Sequence, residues 1–112
     1  MIYKLITTDE MNELLDKRID YLIHVLNNKQ AAEHLLSEIE KIYDNLEQNP
    51  WIYRESQDPF MRAFHYREAK ISHMDYLIVY KIMEQNVYLL GIFHNLENYV
   101  ETIRVIWNTV WK

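Results

Sequence analysis

The chain has 112 residues, is 49% hydrophobic and 13% aromatic, and carries a formal net charge of −5, which suits one packed domain and excludes a disordered chain. It has no cysteine, so disulfides and thiolate metal sites are excluded and a reducing cytoplasm is the expected compartment. The excess charge lies in residues 1–50, with five Lys/Arg against ten Asp/Glu, while residues 51–112 carry seven of each; any contact with nucleic acid then needs a local patch in residues 54–81 or another partner.

Met1 to Ile6 is short, apolar and partly β-branched, which predicts a strand. Thr7 with Glu10 fits a capping box and predicts a helix start. Met11, Leu14, Leu15, Ile19, Leu22, Ile23 and Leu26 form one apolar stripe at helical spacing. Asn27-Asn28 breaks it, and Asn27 with Gln30 is the expected cap of a second helix. That helix has the stripe Ala32, Leu35, Ile39, Ile42 and Leu46, and Asn49-Pro50 ends it. Two stripes joined by so short a break predict an antiparallel helical hairpin with an acidic outer surface. Residues 51–66 show no clean period and read as an aromatic-rich connection. Tyr66 to Ile71 alternates weakly, Ser72 to Asp75 reads as a turn, and Tyr76 to Met83 is a strong strand pattern. Glu84-Gln85-Asn86 has hairpin length, and Val87 to Phe93 is the next strand. Gly91, the one glycine of the chain, falls inside it and predicts a bulge or the close packing of another backbone. From about Leu96 the chain turns helical, with Val100, Ile103 and Trp107 on one face and Trp111 continuing it. No apolar run nears the roughly 20 residues of a membrane helix, and MIYKLITTDEM lacks the layout of a signal peptide. The order β-αα-βββ-α predicts a single α+β domain, with helices packed on one side of a small, mainly antiparallel sheet.

That order resembles the RelE/ParE superfamily of bacterial toxins. It is carried by the opening strand, the hairpin ending at Asn49-Pro50, the Tyr76–Tyr80 strand YLIVY and the strand end Ile92-Phe93-His94. The resemblance covers nearly the whole chain and implies the toxin half of a type II toxin–antitoxin pair, with a cognate antitoxin as partner. The superfamily has two branches. One cuts mRNA on the ribosome with the substrate 2′-hydroxyl as nucleophile; the other poisons DNA gyrase by binding it.

The resemblance puts His94 where some of the nucleases place a general acid, and an imidazole suits that task. Lys70 falls close to a basic position near the phosphate, Arg67 near an arginine common to both branches, and both would stabilise charge on a phosphorane. Asp75-Tyr76 is similar to an acid–aromatic pair of histidine-type nucleases, where the aspartate orients an imidazole or acts as base. Tyr99 is placed to stack on a base. Each has a plain structural counterpart: a strand-end histidine, exposed strand cations, a turn aspartate, a core tyrosine and a helix anchor. Trp107 and Trp111 either pack on the core or form a partner surface, through which the last helix could also support an oligomer. The arginine-type nucleases carry arginine where this chain has Leu77, and further arginines where it has Asn95-Leu96-Glu97-Asn98. A nuclease here would therefore be of the histidine type, and the alternative is a non-enzymatic poison or degenerate relative. His24 and His34 lie on the predicted helices and His65 and His73 in loop and turn, outside any metal-ligand spacing. Neither metal nor cofactor is expected, and no glycine-rich phosphate loop is present.

Overall fold

The computed structural model describes residues 2–95 and 97–110, with side chains described through residue 106. Leu96 and Trp111 lie outside the described residues, and the side chain of Trp107 lies outside them too. The elements are β1 (Lys4–Thr7), α1 (Asp9–Asp20), α2 (Lys29–Gln48), α3 (Pro59–Ala63), β2 (Tyr66–Lys70), β3 (Tyr76–Met83), β4 (Asn86–His94) and α4 (Tyr99–Val110).

The helix starts are set by side-chain caps one residue later than the sequence predicts. Thr7 stays in β1, and Thr8 caps α1 by accepting from the Met11 N–H at 3.2 Å. Asn28, not Asn27, caps α2 by accepting from the Ala31 N–H at 3.0 Å. Asn27 instead takes the left-handed conformation at φ 53°, which asparagine tolerates better than most residues. Between the helices, Tyr21–Val25 forms a π-helical turn. The Leu26 N–H reaches back to the Tyr21 carbonyl at 3.0 Å. The hairpin therefore turns without a glycine.

Residues 51–66 are more ordered than their composition suggests. Asn49 caps a short 3-10 turn at Pro50–Ile52, and Asp58 caps α3, with Pro59 opening the helix. Proline suits that place because its missing N–H would have no helical partner.

The sheet order is β1-β4-β3-β2. β2, β3 and β4 are antiparallel neighbours, and β1 joins β4 in parallel, Lys4 opposite Asn86 through Thr7 opposite Leu89. The β3–β4 connection is one residue shorter than predicted, since Asn86 already pairs with Met83. Register shifts between Val79 and Tyr80: Val79 faces Gly91 and Tyr80 faces Leu89, which leaves Leu90 as the extra residue of a bulge.

Both faces of the sheet are covered. Ala69, Ile78, Tyr80, Leu89 and Ile92 pack under Met11 of α1 and the α2 stripe of Leu35, Ile39, Ile42 and Leu46. On the opposite face, Tyr66, Leu77, Val79, Leu90 and Phe93 meet Met61 of α3 and Ile103 and Ile106 of α4. The hairpin thus lies on one side as predicted, while α3 and α4 close the other. This double cover explains why β3 and β4 read as almost continuous apolar runs.

Candidate functional site

His94 is the last residue of β4 and pairs with Tyr76, the first of β3. Its ring meets the Tyr76 ring edge-on, 5.8 Å between centroids at 87°. From the hairpin side, the Arg18 guanidinium lies over the same Tyr76 ring at 5.5 Å. Arg18 is also bonded to the Glu97 carboxylate, and the same carboxylate oxygen accepts the His94 backbone N–H at 2.6 Å. Arg18, Tyr21, Leu26, Tyr76, His94 and Glu97 enclose a cleft of about 610 Å³. Glu97 is the organiser of its rim, since it holds the strand end and the helix cation at once. The chain leaves β4 through two backbone bonds, Asn95 N–H to the Asp75 carbonyl at 2.8 Å and Glu97 N–H to the His94 carbonyl at 3.1 Å. Asp75 thereby fixes the segment through its backbone, and its side chain is exposed.

Lys70 is not in this cleft. It is exposed at the end of β2 opposite Leu77, whose side chain belongs to the α4 face of the sheet. Lys70 lines a separate cavity of about 280 Å³ with Arg54, Asp58, Glu68, Asn95 and Tyr99. There Tyr99 donates its hydroxyl to the buried Glu68 carboxylate at 2.6 Å. Burial first, then the hydrogen bond and charge of Glu68, push the Tyr99 phenol well above its usual value. The Tyr99 ring stacks on Phe93 at 5.4 Å and 26°. Its hydroxyl and one ring face are therefore already engaged.

Arg67 occupies a third place. It pairs with Tyr80, four residues along β3 from Tyr76, which is roughly 13 Å at strand spacing. Its guanidinium donates to the Tyr53 carbonyl and stacks on Trp51 at 4.8 Å. The structure thus brings His94 and Tyr76 together, and Lys70 and Tyr99 together, and keeps Arg67 apart from both. Arg18 and Tyr21 are site residues that sequence reasoning missed. Both fall within the apolar-striped stretch Met11 to Leu26 without belonging to its stripe, and no single-sequence signal pairs Arg18 with Glu97 across most of the chain. His24, expected to lack a carboxylate partner at helical spacing, does have one in Asp20, one helical turn back at 4.0 Å, both largely exposed.

The profile of the family described as "ParE toxin of type II toxin-antitoxin system, parDE" matches residues 5–99. Among solved structures, the chromosomal ParDE toxin–antitoxin system of P. aeruginosa superposes with a TM-score of 0.66 at 19% identity, over 83% of this chain and 96% of that one. The RelBE2 toxin–antitoxin complex of Mycobacterium tuberculosis gives a TM-score of 0.55 at 16% identity, over 84% of this chain and 99% of that one. At these identities the two structures share the fold. No curated protein sequence matches the chain significantly.

Proposed function

Because this chain belongs to the ParE family of type II toxin–antitoxin toxins, we propose that it acts by docking on a protein target and does not cut RNA. The observation that carries this reading is the dispersal of the cations. Cleavage of a phosphodiester needs acid, base and positive charge converging on one phosphate within hydrogen-bond reach. Here the sheet stands between His94 and Lys70, and Arg67 is stacked on Trp51. The cation that lines the same cleft as His94, Arg18, is held by Glu97. What surrounds His94 suits docking better. Tyr21 and Leu26 on the cleft rim are 45% and 52% exposed, and Val25 beside them is 67% exposed. Aromatic and aliphatic side chains around an arginine are the usual composition of an energetic centre in a protein interface. The target class that the resemblance implies for a binding toxin is DNA gyrase. The P. aeruginosa and M. tuberculosis neighbours come from toxin–antitoxin pairs, which supports a cognate antitoxin here and action in the bacterial cytoplasm.

The test is induction in bacteria, alone and together with the adjacent small gene. The expected result is growth arrest relieved by the neighbour, with mRNA intact and a DNA-damage response. His94→Ala should stay toxic, whereas Tyr21→Asp with Leu26→Asp should not. Rapid loss of mRNA, abolished by His94→Ala at unchanged thermal stability, overturns the docking reading in favour of a histidine-type ribosome-dependent nuclease.

A further inference from the structure

The turn between β2 and β3 carries two features that the toxin reading does not use. His34, on α2, places its Nε2 3.0 Å from the Ser72 carbonyl oxygen. A carbonyl only accepts, so Nε2 carries the proton and donates it. The next residue, His73, holds a left-handed backbone conformation at φ 63°, which carries a conformational cost for a residue with a Cβ. Its ring stands 6.4 Å from that of His34, centroid to centroid, tilted by 44°. Both histidines line an open cavity of about 360 Å³ with Asn28, Gln30 and Met74.

These spacings are close to those of a chelate. Two imidazoles on one tetrahedral ion, each bound at about 2.1 Å, have centroids about 5.3 Å apart. The observed separation is wider by about 1 Å, which side-chain rotation of the exposed His73 can supply. Two neighbouring donors bound at about 2.1 Å lie about 3.0–3.4 Å from each other, and Nε2 and the Ser72 oxygen already have the lower of these spacings. An ion held by both would lie to one side of the line between them, so the His34 ring must give up its proton and turn towards it, a side-chain rotation that leaves α2 in place.

We propose that His34 and His73, with the Ser72 carbonyl as third donor, bind one borderline transition-metal dication of the zinc, nickel or copper type. Imidazole favours these ions over magnesium or calcium. Among the described residues no group of three or more His, Cys, Asp or Glu side chains converges. Two imidazoles, one carbonyl and water therefore set the affinity, which falls short of that of a structural zinc finger. Binding would tie α2 to the turn that leads into Tyr76, the ring against which His94 packs. The inference stands whether the toxin binds or cuts its target.

The experiment uses the full chain without a histidine tag, titrated with zinc chloride and with nickel chloride by calorimetry, alongside a thermal melt. One equivalent of metal should bind and raise the melting temperature. His34→Ala and His73→Ala should each weaken binding by at least about tenfold, and acidification should weaken it as protons compete for the ring nitrogens. His24→Ala and His65→Ala should leave it unchanged. His34→Gln, which keeps a donor for the Ser72 carbonyl, separates loss of the ligand from loss of the fold. Absence of binding by the unaltered chain, or binding that survives loss of both His34 and His73, overturns the proposal.

Discussion

At Gly91 there is room for a hydrogen and nothing larger. A Cβ built there would lie 2.5 Å and 2.7 Å from the Phe93 ring and 2.9 Å from a Leu14 methyl. Phe93 is 1% exposed and stacked on Tyr99, so its ring has little freedom to withdraw. Gly91→Ala should therefore cost about 1–3 kcal/mol, seen as a lower urea midpoint, and a variant as stable as the parent would refute the argument. The glycine was legible in the sequence as a bulge, and the bulge is there, one residue away at Leu90. The alternative, close approach of another backbone, is not what fills the space, which is taken by two side chains, Phe93 two residues on in the same strand and Leu14 from α1. His94 shows the same limit. Its position at a strand end was legible, but its neighbours Arg18 and Glu97 depend on how α1 crosses β4.

Among the elements, α1 owes its direction to one hydroxyl. Thr8 Oγ1 accepts from the Met11 N–H and donates to the Leu89 carbonyl at 2.8 Å. It caps the helix and pins it to β4 where β1 stops. Thr8→Ala should destabilise by about 1–2 kcal/mol, and Thr8→Ser, which keeps both bonds, should recover most of that in the same denaturation assay. Equal loss in both variants would mean that the methyl group and not the hydroxyl matters. Long periodic elements were legible: β3, β4 and the α2 stripe fall where the sequence puts them, and the first stripe packs on the core as far as Ile23 while Leu26 is exposed. The caps were displaced by one residue because adjacent threonines, and adjacent asparagines, give the same local signal. Helix α3 went unread because five residues are too few to show a period, although Asp58-Pro59 is a helix-start pair.

In the molecule as a whole, one tyrosine hydroxyl fastens a helical layer on each side of the sheet. Tyr80 donates to the Pro50 carbonyl at 2.6 Å below the hairpin, and Tyr99 donates to Glu68 below α4. Both phenols are raised above the ordinary value of 10.0, chiefly by burial. A group whose folded pKa exceeds its unfolded one stabilises the fold at low pH and loses that contribution as pH climbs past the unfolded value. Stability should then hold at neutral pH and fall steeply above about pH 10. Phenolate absorbance should show Tyr80 and Tyr99 among those of the nine tyrosines that titrate only as the chain unfolds. Titration of all nine in one early step, with the fold intact, would contradict this. The sequence made the layers legible but not the division of the site residues between them, because the face of each strand residue depends on a bulge that only pairing reveals. The parallel pairing of β1 with β4 also sets an order of events in synthesis. As the chain is made, β1 has no neighbour in this sheet until β4 follows, and the Thr8–Leu89 bond spans 81 residues. Contacts of such separation form slowly. The nascent chain must therefore keep β1 unpaired while everything between it and β4 is made, and that edge of β4 is completed only when the two meet.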